Sequence, residues 1–176
     1  MEASTLAAAM NIPLARSQKW APALTQAMAD GKINTRLRQA AFLSQIGHES
    51  GSLVYVKELG GPQYFAKYDG RKDLGNTQPG DGARFAGRGL IQVTGRANYG
   101  KASQALFDDD RLLKNPELLE QPEWAAKSAV WFWSTRNLNE LADADRFTDL
   151  TKKINGGTNG LEDRKARYRL ALSVLK

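Results

Sequence analysis

Two glutamates nine residues apart, Glu49 in GHES and Glu58 in KELGG, are the side chains of this sequence best suited to chemistry. Two carboxyl groups in unlike surroundings can divide proton work, one acting as general acid and the other as general base. Glu49 follows the run FLSQIG and stands beside the apolar face of a helical pattern, near its C-terminal end. Glutamate is rarely buried without a reason. Poor solvation and the negative end of a helix both disfavour a charged carboxylate, so Glu49 is expected to keep its proton, as a general acid must. Glu58 lies beside Lys57 and ahead of a Gly-Gly turn, a more polar setting in which it is expected to be ionised. On the residues alone a plain surface glutamate is the favoured reading of Glu58, since any chain with this many acids offers such pairs.

Other chemistries fare worse. His48 is the only histidine, and a lone histidine is more often a packed, hydrogen-bonded residue than a catalyst. Ser50 is two residues from it, with no serine elbow around it, so a nucleophilic triad is not indicated. There are no cysteines, which excludes disulfides, thiolate chemistry and Cys-ligated zinc. DDDRLLKNPELLE at 108–120 lacks the sixth-position glycine and alternating acids of a calcium loop, and reads as a solvated acidic turn. No metal ligand set is therefore assigned. GARFAGRG at 82–89 has two glycines at phosphate-loop spacing, but Arg88 and Gly89 follow where Lys and Ser/Thr are needed.

The elements that must carry these residues are mostly helical. Thr35 is suited to N-cap RLRQAAFLSQIGHES. On that helix Leu37, Ala41, Ser44 and His48 share one face, and Phe42, Gln45, Ile46 and Glu49 share the adjoining one. Residues 16–29 read as a helix with Pro22 near its start. Residues 97–107 form another. QPEWAAKSAVWFWSTR follows, with Pro122 in its first turn and Trp124, Val130, Trp131 and Trp133 facing a core. Further helices are expected at 138–143, 146–153 and 161–175. The span from Gly60 to Gly89 carries eight of the chain's 16 glycines, with Pro62 and Pro79. It reads as loop and turn, ordered by Tyr64, Phe65, Tyr68 and Phe85, and functional. GLIQVT at 89–94 reads as a short strand or a buried extended segment. The expected fold is mainly α, with one long irregular insertion and at most a very small β-sheet.

Composition bounds the rest. The chain has 176 residues, 41% hydrophobic and 25% charged, enough for one globular domain with a core. No apolar stretch approaches the roughly 20 residues of a membrane span, so no stable membrane insertion is expected. The start MEASTLAAAMNIPLARSQKW carries Glu2 and no basic residue before its apolar part, unlike a secretory signal. The net charge of +6 favours anionic partners such as acidic lipid or a cell-wall polymer. No Lys/Arg block is dense enough to mark a nucleic-acid site.

FLSQIGHESGS, KELGG, FAGRGLIQVTGRANYG and KINGG, in that order, resemble the family 19 glycoside hydrolases, over about residues 35–160. That family includes plant-type chitinases and a branch of phage and prophage endolysins. The resemblance implies a lysozyme-like, two-lobed helical fold with a cleft, and a single catalytic domain over 1–176 with no separate wall-binding module. It implies hydrolysis of a β-1,4 bond in an N-acetylated glycan with inversion, and no cofactor. By its motifs the general acid falls on Glu49, the general base on Glu58, and the hydroxyl that holds the attacking water on Thr94. Substrate contacts fall on Gln92, Asn98 and Asn155, with His48 in the cleft wall. Turn or cap chemistry is the alternative role for Gln92 and Asn98. The length, the missing cysteines and the missing signal resemble the endolysin branch. The expectation is then a monomer acting on peptidoglycan strands, held in the host cytoplasm until a separate pore protein releases it to the wall. A chitinase, or a catalytically weak glycan-binding protein, is the alternative.

Overall fold

The computed structural model describes residues 1–176 and is mainly helical, with no sheet. Eleven α-helices follow in order: α1 Ala3–Met10, α2 Leu14–Asp30, α3 Arg36–Glu49, α4 Pro62–Phe65, α5 Asp81–Arg84, α6 Arg96–Phe107, α7 Arg111–Lys114, α8 Pro122–Thr135, α9 Leu138–Asp143, α10 Phe147–Asn155 and α11 Leu161–Val174. The chain divides into two compact units, one of Met1–Val54 with Phe132–Lys176, the other of Tyr55–Trp131.

The first unit is built around α3. Thr35 caps it as its sequence suggests, its Oγ1 accepting from Arg38 N at 3.3 Å. From Ala40 to Gly47 the helix is buried on all sides, rather than on one stripe. It is enclosed by α1, α9 and α11. Leu6, Leu24, Ile33, Phe42, Leu43, Ile46 and Leu150 fill this core, and Trp133 meets the Phe42 ring edge-on at 5.3 Å. At the far end Ser50 closes the helix: its Oγ donates to Ile46 O (2.6 Å) and accepts from Leu53 N (2.9 Å). Gly51, Ser52 and Leu53 then adopt left-handed φ values of 57°, 63° and 64°. For Ser52 and Leu53 that conformation is costly, of order 1 kcal/mol or more each. It is held by burial of the Leu53 side chain and sets α3 to end at Glu49.

Pro22 corrects an expectation. It lies inside α2, not near its start. A proline there deletes the bond to the carbonyl of Gln18, but both residues are exposed, so that carbonyl faces solvent.

The second unit centres on Phe85, Val93, Tyr99, Ala102, Leu112 and Leu119, with Trp124 and Trp131 partly buried against them. GLIQVT is not a strand. Arg88 and Val93 exchange backbone bonds (3.1 and 2.8 Å), which folds residues 89–92 into a buried turn. Leu90 and Ile91 are buried without a neighbouring strand, so their apolar run reflects burial and not pairing. The 108–120 segment is likewise more structured than an acidic turn. It contains α7 and a 3-10 turn at Pro116–Glu120, anchored by fully buried Leu112 and Leu119.

The glycine-rich span is ordered into α4, α5 and two 3-10 turns, Ala66–Tyr68 and Lys72–Leu74. Three polar side chains organise it. Asp69 accepts from Gly82 N (2.7 Å) and Gly80 N (3.2 Å). Asn76 donates to Tyr68 O (2.9 Å) and accepts from Arg96 N (2.8 Å). Asp81 takes both Nε and Nη2 of Arg96 at 2.8 Å.

That Arg96 fork holds the Asp81 carboxyl below its ordinary value, against burial, which pushes it up. The stabilisation is therefore present above the unfolded carboxyl's range, about pH 4, and is lost as pH falls through the lowered folded value. Asp81→Asn should cost about 1–3 kcal/mol at pH 7. Thermal melts should show the gap to the wild type narrowing toward pH 3. A constant gap across that range would contradict the linkage.

Candidate active site

In the first unit the last turn of α3 presents His48 and Glu49 side by side, each tied to α11. Glu49 is not the unpartnered carboxyl its apolar surroundings suggest. Arg164 Nη2 meets its Oε1 at 2.6 Å; the Arg164 side chain is 1% exposed and that of Glu49 is 25% exposed. The other guanidinium donors are also used. Nη1 donates to Gln45 Oε1 (2.6 Å) and Nε to Asn159 O (3.0 Å). Gln45, one helical turn before Glu49, donates in turn to Thr151 Oγ1 of α10 at 2.9 Å, and both are fully buried. A chain of polar groups thus runs from α10 through α3 and α11 to one oxygen of Glu49. Every buried member has a partner, the condition under which such a network rigidifies.

His48 sits beside this chain. Its Nδ1 meets Asp163 Oδ2 at 2.7 Å, and the same oxygen accepts from Arg167 Nε at 2.7 Å. Burial raises the Asp163 carboxyl, but the bonds from Arg167 and His48 outweigh it and hold the group below its ordinary value. The imidazole lies directly on Gly160, whose φ is +69°, so a Cβ there would meet both a strained backbone and the ring. Asn155 ends α10, and its Oδ1 accepts from Asn159 N at 3.3 Å. Asn155 therefore shapes the loop whose Asn159 carbonyl receives Arg164, two bonds removed from Glu49.

In the second unit Glu58 follows a stretch tied to the 88–93 turn. Lys57 bridges to Arg88, Glu58 N donates to Gly87 O (2.8 Å) and Gly89 N donates to Val56 O (2.9 Å). The Arg88 side chain is buried, paired with Glu120 at 3.0 Å and bonded to Arg84 O and the Tyr99 hydroxyl. Both phenols of Tyr64 and Tyr68 donate to Glu58 Oε1, at 2.9 and 3.0 Å.

Gln92 and Thr94 lie on the same turn as Gly87. The Gln92 side chain covers Gly87 so closely that a Cβ there would come 2.6 Å from Oε1. Gln92, Gly87 and Glu58 therefore form one local group. Thr94 is half-buried, its hydroxyl makes no protein hydrogen bond, and its carbonyl accepts from Asn98 Nδ2 at 2.8 Å. Asn98, in the first turn of α6, thus ties that helix to the Thr94 carbonyl, and α6 has no side-chain N-cap.

A family model described as "Chitinase class I" matches residues 18–148, most of the chain. The chain belongs to glycoside hydrolase family 19. A Haemophilus influenzae protein named as a glycosyl hydrolase family 19 domain-containing protein is 33% identical over 167 residues, with 79% of this chain and 80% of that one covered. An endochitinase of Arabidopsis thaliana is 36% identical over 119 residues, covering 67% of this chain but only 39% of the plant protein. This family 19 chain thus spans well under half of that plant relative. In three dimensions it is similar to chitinase C from Streptomyces griseus, with a TM-score of 0.79 at 24% identity over 98% of this chain and 75% of that one. A bacterial family 19 chitinase gives 0.73, also at 24% identity, over 97% and 94%. At those identities the structures establish the shared family 19 fold.

Arg164, Gln45, Thr151, Asp163, Tyr64 and Tyr68 are members of the two local groups that the sequence motifs do not single out. Gln45 carried a signal, since it lies four residues before Glu49 on the same helix face. Arg164 carried none that separates it from Lys165, Arg167 and Arg169.

Proposed function

We propose that this family 19 protein hydrolyses β-1,4 glycosidic bonds of bacterial peptidoglycan with inversion, as an endolysin. The observation that carries the reading is that two glutamates are each fixed through a single oxygen by a network of their own: Glu49 by Arg164, Glu58 by Tyr64 and Tyr68. Fixing a carboxyl in this way sets the direction of its remaining oxygen before substrate arrives.

In the reaction, Glu49 donates its proton to the glycosidic oxygen as the bond to the anomeric carbon breaks. Glu58 takes a proton from a water that attacks the anomeric carbon from the opposite side of the sugar ring. The products are a free hydroxyl on one sugar and an inverted, hydrated reducing end on the other. Thr94 with its uncommitted hydroxyl, and Gln92 beside Gly87, orient that water. His48, Asn98 and Asn155 contact the glycan, the two asparagines through Oδ1 and Nδ2 respectively, the atoms their local bonds leave over.

The net charge of +6 supports peptidoglycan, whose peptides carry carboxylates, over uncharged chitin. The protein acts as a monomer, waits in the host cytoplasm and reaches the wall through a separate pore protein. Chitin hydrolysis is the second reading, favoured by the endochitinases among the relatives.

Purified sacculi and colloidal chitin offered to one preparation separate the two. Sacculi should clear, and mass spectrometry of the muropeptides should show hydrated reducing ends and identify the sugar that bears them. Rapid chitin turnover without clearing would replace the peptidoglycan reading. Anhydro-muramic ends would mean a lytic transglycosylase.

A further inference from the structure

Glu58 is held in an unusual way for a side chain in a half-exposed setting. Tyr64 and Tyr68 stand one helical turn apart, where α4 runs on into the Ala66–Tyr68 3-10 turn, and bring their hydroxyls to the same carboxylate oxygen. Their rings meet edge-on at 6.2 Å between centroids. Lys67 lays its ammonium over both, 3.5 Å from the Tyr64 centroid and 4.9 Å from that of Tyr68, and forms no ion pair with a carboxylate. The backbone beneath them is fastened as well. Asn76 bonds the Tyr68 carbonyl, and Asp69 bonds Gly80 and Gly82 of the next element. From the other side the Glu58 main chain is bonded to Gly87.

Two donors on Oε1 leave Oε2 without any protein donor. A carboxylate held at its backbone and at one oxygen has its second oxygen aimed. We propose that Tyr64 and Tyr68 are positioning residues for Glu58: they occupy Oε1 so that Oε2 alone takes the proton from the attacking water. The inference rests on Glu58 being the general base.

The phenols suit the task because they remain donors. Burial above all, then the bonds with Tyr64 and Glu58, push the Tyr68 hydroxyl well above its ordinary value, so it stays protonated wherever the enzyme works. A lysine or arginine in the same place would bring a full charge to the carboxylate. Two neutral hydroxyls fix its direction without a competing ion pair. The cation over the rings is directed at their faces, not at the carboxylate.

The test is initial-rate kinetics on suspended, purified sacculi for Tyr64→Phe, Tyr68→Phe and the double variant, with Glu58→Gln alongside. Phenylalanine removes only the hydroxyl. Tyr64 is the more exposed of the two, so Tyr64→Phe carries the least risk to folding, and circular dichroism with a thermal melt checks each protein. Each single variant is expected to lower kcat by about 3- to 10-fold, and the double variant by about 10²-fold, the low end of a general-base contribution, with KM within about twofold of the wild type. A merely structural role would lower the melting temperature and leave kcat of the folded protein intact. A folded double variant within twofold of wild-type kcat, beside an inactive Glu58→Gln, would overturn the inference. So would a loss expressed wholly in KM. A Glu58→Gln enzyme with wild-type kcat would instead remove Glu58 as base, a separate failure of the reading beneath it.

Discussion

Glu49→Gln should abolish glycan hydrolysis while leaving the protein folded. The amide matches the carboxyl in shape but has no acidic proton to give, and loss of general acid catalysis costs about 10²–10⁴-fold in rate. The substitution also puts a neutral amide, whose oxygen can still accept, where a carboxyl meets the buried Arg164 guanidinium at 2.6 Å, so a loss of about 1–3 kcal/mol in stability is expected with it. The two effects separate cleanly. Reducing-end release from sacculi should fall to background, whereas the circular dichroism spectrum should match the wild type and the melting temperature should drop by only several degrees. Glu58→Gln should lose activity to a similar degree with a smaller change in stability, because Glu58 is partly exposed and its partners are neutral phenols that can still donate to an amide oxygen. A folded Glu49→Gln protein that lyses sacculi at the wild-type rate would take the acid role away from Glu49.

Arg164→Ala is expected to destabilise the first unit strongly. The side chain is 1% exposed and serves three acceptors on three parts of the chain: Glu49, Gln45 and the Asn159 carbonyl. Truncation leaves a cavity and takes the donor from the Glu49 carboxyl and from Oε1 of fully buried Gln45, whose Nε2 keeps its bond to Thr151. Removing one member of a buried ion pair typically costs about 3–5 kcal/mol. For a chain of this size that corresponds to a fall in melting temperature of about 10 °C or more. Arg164→Lys should recover part of the stability but not the geometry, since an ammonium cannot present a planar fork to acceptors in three directions. Its residual activity should therefore stay low even where it is folded. Urea unfolding placing Arg164→Ala within about 1 kcal/mol of the wild type would show that the polar chain from Thr151 to Glu49 does not hold the unit together.

The local elements were legible because local rules decide them. Thr35 caps α3, Pro122 opens α8, and the 3.6-residue pattern finds α3, α6 and α8–α11 close to their ends. What escaped was settled by contacts distant in sequence. GLIQVT has the composition of a strand, but strand formation needs a partner. Arg88 and Val93 find each other instead. Glycine and proline masked the short helices between Gly60 and Gly89, where Asp69, Asn76 and Asp81 supply the order that propensity does not. Proline in a helix interior is costly, which favours a place near the helix start for Pro22, and the exposed Gln18 residue removes much of that cost.

The site was legible in a different sense. Residue type and helix position single out Glu49, whereas Glu58, Thr94, Gln92, Asn98 and Asn155 needed whole motifs. The partners that fix the two glutamates could be read from neither source. Arg164 lies 115 residues beyond Glu49, among several equivalent-looking cations, and only packing selects it. Tyr64 and Tyr68 looked like aromatic anchors of a loop, and their hydroxyls acquire a role only once Glu58 is seen beneath them.

The direct measurement of the two-carboxylate mechanism is the anomeric configuration of the first product, followed by time-resolved proton NMR as wild-type enzyme acts on soluble β-1,4-linked glycan strands. A water activated by one glutamate while the other protonates the leaving oxygen must release the α-anomer from a β-linked strand, before mutarotation mixes the two. An initial product in the β configuration would mean two displacements through a covalent intermediate, and would contradict the assignment of Glu58 as a base acting on water.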